Sequence, residues 1–131
     1  FVGKGGCVTC HGGWRFTDDD FHDVGLDSAD LGRGVLGSAG GAIPAFKTPS
    51  LREAAHTAPY MHDGSLATLA DVVKHYSGGL AQRPSLAPTL VRDLALTDDE
   101  QAALVAFIKT VSSAPHAAGE GDETSRPVPN K

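Results

Sequence analysis

The chain is short and acidic. It has 131 residues, 40% of them hydrophobic, and a formal net charge of −5 with a pI near 5.6. This length suits one small domain with a modest core. The negative charge argues against nucleic acid as a partner, since phosphate binding needs a basic face. No apolar run reaches the roughly 18 residues that predict a transmembrane helix. The sequence begins without methionine or a signal peptide, so we expect a processed or partial form.

The most informative stretch near the N-terminus is Cys7-Val8-Thr9-Cys10-His11. Two cysteines separated by two residues and followed at once by histidine form the attachment motif of c-type haem, whose iron the histidine ligates. A redox dithiol would need a βαβ context, and a zinc site would need a second ligand pair. With two cysteines in the chain, we predict one covalent haem c held by Cys7, Cys10 and His11. Because haem is attached to cysteine outside the bacterial cytoplasm, we expect a periplasmic or extracytoplasmic location.

The residues after the motif are predicted to form loops. Gly12 and Gly13 would let the backbone pass close to the porphyrin edge, and Trp14 is interpreted as packing rather than as an electron relay. His22 lies in an acidic, turn-rich segment and is not favoured as an iron ligand. The glycines between residues 31 and 43 predict a flexible surface loop.

Three cations lie in or after that loop: Arg33, Lys47 and Arg52. Haem propionates need cationic partners, and arginine suits a carboxylate because it donates two parallel hydrogen bonds. For any one of them, however, an ordinary surface charge is the favoured reading.

Two segments carry helical periodicity. Thr68 is a predicted N-cap with Asp71 three residues on, and the first helix has an apolar face that ends in Tyr76 before Gly78-Gly79. Thr97 and Glu100 predict a capping box for a second helix. The apolar stripe of that second helix is Leu104, Phe107, Ile108 and Val111.

These helices and the haem motif predict an all-α, cytochrome c-like fold around one covalent haem, with long irregular loops. The last helix would pack across the haem-bearing N-terminal segment. We expect this domain to cover residues 1–113. Residues 114–131 lack periodicity and are rich in proline, glycine and charge, so we predict a disordered tail.

Two further runs, Phe46–Arg52 and Thr57–Ser65, carry a family resemblance. With Ala67-Thr68-Leu69, they resemble the C-terminal domain of bacterial di-haem cytochrome c peroxidases and of MauG. The resemblance implies two cytochrome c-like domains, an N-terminal one with the peroxide-reactive haem and a C-terminal one whose six-coordinate haem passes or stores electrons. Only the second domain has a counterpart here.

The resemblance also bears on the sixth iron ligand. A methionine at the end of the helix after the His-Asp-Gly turn binds iron in the peroxidases, and a tyrosine replaces it in MauG; that position falls on Tyr76. Met61 is the alternative ligand, because it is the chain's single methionine and a thioether is a common sixth ligand of cytochromes c. A phenolate stabilises ferric iron and lowers the reduction potential, whereas methionine raises it.

The family further implies a calcium ion between its two domains, bound partly by backbone carbonyls that correspond to Thr57 and Pro59. Oxygen donors suit calcium, but another ligand belongs to the absent domain, so we expect calcium only with a partner domain. The role of His62, in the same signature, stays open.

Two functions of different classes follow. The chain is either an electron-transfer module that exchanges electrons with a redox partner protein or second haem domain, or part of a di-haem cytochrome c peroxidase or MauG-like oxidase. In the second case the catalytic haem lies on a missing segment or a partner chain. Peroxide chemistry needs an open iron position with acid–base groups nearby, and no residue pair here supplies them. We therefore favour electron transfer and assign no catalytic residue.

Overall fold

The computed structural model describes residues 1–37, 43–90 and 94–113. Within these ranges the regular helices are α1, Leu69–Gly78, and α2, Asp98–Thr110. Neither has the length and apolar character that a bilayer-spanning helix requires. Strands β1, Phe21–His22, and β2, Phe46–Lys47, pair antiparallel. The remaining helical turns are short 3₁₀ segments at Cys7–Thr9, Arg33–Leu36, Ala54–His56 and Pro88–Leu90.

Both predicted helix starts are confirmed. The Thr68 hydroxyl accepts from the Asp71 N–H at 3.1 Å, and the Asp71 carboxylate accepts from the Thr68 N–H at 3.0 Å. Thr97 and Glu100 form the same reciprocal pair, at 3.3 and 2.8 Å. Each box satisfies two N–H groups that the first helical turn leaves without partners.

The end of α1 differs in mechanism from the sequence expectation. Gly79 lies at φ −97°, outside the left-handed region. A Cβ at Gly79 would lie 3.1 Å from the His75 Cα. The glycine is therefore required by the close approach of the chain to the helix, and its freedom to adopt positive φ is not used.

Backbone hydrogen bonds join the two ends of the loop predicted from residue 31 to 43. Arg33 donates its backbone N–H to the Ala45 carbonyl at 2.9 Å, and the Ala45 N–H donates to the Leu31 carbonyl at 3.1 Å.

The all-α expectation did not include β1 and β2, because two-residue strands have no periodicity to detect. Residues 38–42 of this loop and the predicted tail, 114–131, lie outside the described residues.

The hydrophobic core joins α1, α2 and the connecting segments. Its buried members are Ala54, Leu69, Val73, Leu94, Leu96, Leu104 and Ile108. Phe1 packs on Phe107 with 4.6 Å between ring centroids, which confirms that α2 crosses the N-terminal segment. Phe107 and Val111 are only half-buried. No large side chain of the described residues is completely buried.

A buried carboxylate joins the segment after β1 to the connection that follows α1. Asp23 is 3% exposed and accepts two hydrogen bonds from Arg83, at 2.6 and 2.7 Å, and one from Ser85 at 2.5 Å. The Gly25 N–H donates to the same carboxylate at 3.0 Å. Burial alone would raise the pKa of Asp23, but these hydrogen bonds and the Arg83 charge lower it from 3.8 to about 2.

We predict that Asp23→Asn lowers the free energy of unfolding by about 3 kcal/mol, because it leaves Arg83 without its buried counter-charge. The lowered pKa of Asp23 stabilises the wild-type fold fully above about pH 4, by roughly 2 kcal/mol, and this contribution is lost as pH falls towards 2. Urea unfolding between pH 2 and 7 measures both effects. Asp19→Asn is the control: Asp19 is an exposed carboxylate bonded to Arg15 and Lys47, and exposed ion pairs contribute little. Equal losses in the two variants would contradict the prediction.

Candidate haem site

The Cys-x-x-Cys-His motif folds as one tight turn. Gly6 enters it at φ 61°, a left-handed conformation that glycine adopts without strain, and Cys7–Thr9 forms a 3₁₀ turn. The Cys7 carbonyl accepts from the backbone N–H of Cys10 and, at 2.8 Å, from that of His11. This shared acceptor places both thiols and the imidazole on a single turn.

The His11 ring is held by a backbone carbonyl. Its Nδ1 lies 3.0 Å from the Phe16 carbonyl oxygen. Because a carbonyl only accepts, Nδ1 carries the proton and Nε2 keeps its lone pair. Burial lowers the pKa of His11, against opposing contributions from the Phe16 carbonyl, Asp18 and the Pro49 carbonyl. A neutral imidazole whose Nε2 keeps its lone pair is the form that ligates a metal.

Both cysteines are reduced and half-buried. Burial raises the pKa of the Cys7 thiol, and burial together with the nearby Asp18 raises that of Cys10. The thiols are therefore protonated at neutral pH. A protonated thiol is the group that adds across a porphyrin vinyl to form a thioether.

The zinc alternative has a partial geometric basis. Cys10, Asp18 and His22 each offer a ligand atom, and these atoms lie within 4.8 Å of one another. His22 Nε2 is already 2.8 Å from the Asp18 carboxylate. A metal bound by these three residues would use the Cys10 thiol and leave out Cys7 and His11, so it would exclude haem attachment at both cysteines.

Tyr76 lies on α1, within electrostatic range of the motif. Burial raises the pKa of Tyr76 to about 12, and negative charge on Cys10 and Cys7 acts in the same direction. The structure therefore places the phenol within electrostatic range of the two cysteines. The neighbouring His75 is buried, with its Nε2 3.0 Å from the Val24 carbonyl oxygen, so its ring is held by the backbone.

Met61 begins the turn of the second family signature. Its backbone is left-handed, at φ 68°, and its carbonyl accepts from the Gly64 N–H at 3.3 Å. Tyr60 fixes the same segment by pairing with Leu66 and donating its hydroxyl to the Ala54 carbonyl at 2.8 Å. Thr57 and Pro59, whose carbonyls the calcium expectation concerns, are exposed.

His62 has contacts that the sequence did not indicate. Its ring stacks on Phe46 with 3.7 Å between centroids and 11° between planes, and its Nε2 is 3.7 Å from an Asp30 carboxylate oxygen. The two family signatures therefore touch through this pair.

The three candidate propionate partners all contact protein groups. Arg33 lies over the Phe21 ring at 4.4 Å, and Lys47 bonds to Asp19 at 2.5 Å. Arg52 donates its Nε–H to the Trp14 carbonyl at 2.7 Å. This last bond was not foreseen, since the sequence separation is 38 residues.

Trp14 does not pack in the protein core. Its side chain is 76% exposed, and the Arg52 guanidinium lies 6.0 Å from its ring centroid. The interpretation of Trp14 as packing beside the haem stays a prediction.

The glycines before Trp14 have a local reason: a Cβ at Gly12 would lie 2.9 Å from the Val8 carbonyl, and Gly13 has φ 68°.

The donor set fits a haem c. Two thiols and an imidazole whose Nδ1 is bonded to a carbonyl share one turn, and a phenol on α1 lies within electrostatic range of both thiols. These features match a covalently held macrocycle with axial ligands, and they do not match a closed four-ligand zinc site.

Comparison with known proteins agrees with this geometry. Residues 1–112 match the Cytochrome c family model. Methylamine utilization protein MauG of Methylorubrum extorquens is 47% identical over 120 residues, which cover 89% of this chain and 34% of that protein. Cytochrome-c peroxidase IdrP2 of Denitromonas iodatirespirans is 34% identical over 145 residues, covering 88% and 38%.

A solved structure of a MauG-like protein associated with microbial copper homeostasis superposes with a TM-score of 0.69 and 32% identity. The match covers 83% of this chain and 40% of that one. The chain thus spans about a third of the length of the curated relatives it matches. Family model, identity and fold together show that the chain belongs to the cytochrome c family and, within it, is an electron-transfer haem domain of the MauG and di-haem cytochrome c peroxidase group.

Proposed function

We propose that this chain carries one haem c bound through Cys7 and Cys10, with His11 and Tyr76 as its axial ligands, and that it exchanges single electrons with a redox partner. The observation that supports this most is the His11 Nδ1 to Phe16 carbonyl bond of 3.0 Å, because it presents Nε2 as a metal ligand. The bound haem supplies the Fe(III)/Fe(II) couple.

The case for Tyr76 combines its position with its chemistry. Periodicity and family position both select this residue, and its charge interactions with Cys7 and Cys10 support the choice. In the protein without metal the pKa of about 12 keeps the phenol protonated. Next to ferric iron the Tyr76 phenol would instead lose its proton, because the charge of the metal favours the anionic donor. The resulting site would favour Fe(III) and hold a low reduction potential.

We predict that Tyr76→Phe changes the ferric absorption and electron paramagnetic resonance spectra and raises the reduction potential, because it removes the oxygen donor. Met61→Leu is the matched control and should leave both unchanged. The wild-type ferric protein should also lack the long-wavelength charge-transfer band of methionine–iron ligation. Presence of that band, and its loss in Met61→Leu, would identify Met61 as the ligand and contradict the assignment of Tyr76.

A second candidate function concerns the larger protein. The chain spans about a third of its curated relatives, which include cytochrome-c peroxidases, so we propose that the domain works beside a second haem domain on the same or a partner chain. Its location would be periplasmic or otherwise extracytoplasmic. Calcium would bind the Thr57 and Pro59 carbonyls only when that second domain supplies further oxygen ligands.

We predict that the haem-loaded 131-residue chain undergoes reversible one-electron reduction and shows no rapid peroxide turnover. The reason is that both axial positions are occupied by protein ligands, and peroxide needs an open one. Stopped-flow absorption after peroxide addition measures this, with Tyr76→Phe as the comparison that opens a position. Rapid turnover by the unmodified chain would favour the enzyme reading for this domain by itself.

A further inference from the structure

We propose that Ser50 and Arg52 are positioning residues for the axial imidazole. Through the backbone of residues 14–16 they hold the Phe16 carbonyl against His11 Nδ1, and they thereby set the reduction potential. We call these two side chains the clamp. The inference rests on the proposed ligation of haem iron by His11.

The clamp contacts the turn that carries Phe16 at two consecutive carbonyls. Ser50 donates its hydroxyl to the Arg15 carbonyl at 2.6 Å, and Arg52 donates its Nε–H to the Trp14 carbonyl at 2.7 Å. A third bond joins the same segments on the other side of Phe16, from the Thr17 hydroxyl to the Thr48 carbonyl at 2.7 Å. The turn is thus tied to residues 48–52 on both sides of Phe16.

The backbone at Phe16 needs this support. Its φ is 53°, in the left-handed region, which is unfavourable for a bulky aromatic residue and persists only where surrounding contacts impose it. The Phe16 ring has Phe1 and Phe107 at centroid distances of 6.1 and 6.3 Å, and the Arg52 guanidinium 5.5 Å from its centroid. Arg52 therefore contacts the turn twice, by a hydrogen bond to its backbone and by a cation–π contact to its ring.

The chemical effect follows from the direction of the bond to His11. A carbonyl that accepts from Nδ1–H makes the imidazole a stronger donor through Nε2, and a stronger donor stabilises ferric over ferrous iron. Loosening the clamp lets Phe16 relax from its left-handed conformation, which lengthens or misaligns the bond to His11. The reduction potential then rises.

The test compares four variants of the haem-loaded chain. Ser50→Ala removes the bond to the Arg15 carbonyl and also the oxygen that accepts from the Arg52 backbone N–H at 3.1 Å, whereas Ser50→Thr retains the hydroxyl. Arg52→Gln removes a charge and the Nε–H donor, whereas Arg15→Gln removes an equal charge from the same turn, where the Arg15 side chain bonds only to exposed Asp19 among the contacts the structure describes. Spectroelectrochemistry gives the potential, and proton NMR of the ferric protein gives the deuterium exchange rate of His11 Nδ1–H.

Ser112→Ala serves as a stability control, because the Ser112 hydroxyl accepts from the Ala55 N–H at 3.1 Å, in another part of the chain. Thermal unfolding is recorded for every variant, so that a loss of stability can be separated from a change at the haem.

We expect Ser50→Ala and Arg52→Gln to favour the ferrous state several-fold, and the double variant to favour it about tenfold, which equals about 59 mV for one electron. Nδ1–H exchange should accelerate in the same variants. Ser50→Thr, Arg15→Gln and Ser112→Ala should keep the wild-type potential.

The proposal is overturned if the clamp variants change neither the reduction potential nor the Nδ1–H exchange rate, whether or not they lose thermal stability. It is also overturned if Arg15→Gln shifts the potential as much as Arg52→Gln does, since charge alone would then explain the effect. Hyperfine-shifted His11 ring protons in the wild-type ferric protein show that His11 ligates the iron. Their absence would contradict the proposed function itself, which separates its failure from that of the clamp.

Discussion

The hydrogen bond between His11 Nδ1 and the Phe16 carbonyl links the haem motif to the rest of the domain. The motif turn is closed by its own backbone, through the Cys7 carbonyl, so it can form locally. The orientation of the imidazole cannot form locally, because its acceptor sits on a turn with an unfavourable backbone conformation. That turn is held by residues 48–52. The orientation of His11, the proposed axial ligand, therefore depends on a long-range contact.

The protein core has a matching dependence. The described residues include no large side chain that is completely buried, although α1 and α2 start with complete capping boxes and pack on the N-terminal segment. A domain of this size has little hydrophobic surface to spare. Bound haem would add buried apolar area to this core, so cofactor binding would stabilise the fold by mass action as well as supply its chemistry.

What the sequence could predict depended on local signals. The motif of residues 7–11, the two capping boxes and the apolar face that ends in Tyr76 are all written within a few residues, and the structure reproduces the helices at those positions. The Asp23–Arg83 pair, the β1–β2 pairing and the bonds of Arg52 join residues far apart in the chain. No periodicity records such contacts. From its charge, Arg52 is a candidate partner for a haem propionate, whereas in the structure its Nε–H donates to the Trp14 carbonyl.

Residues 46–52, the first family signature, therefore serve more than one contact. Their C-terminal part holds the turn beside His11, and their first residue, Phe46, stacks on His62 of the second signature. Between these ends β2 pairs with β1, where His22 faces Phe46 in register. One short segment thus contacts both the turn beside His11 and the His-Asp-Gly turn. Spatial contiguity of this kind does not by itself establish energetic coupling.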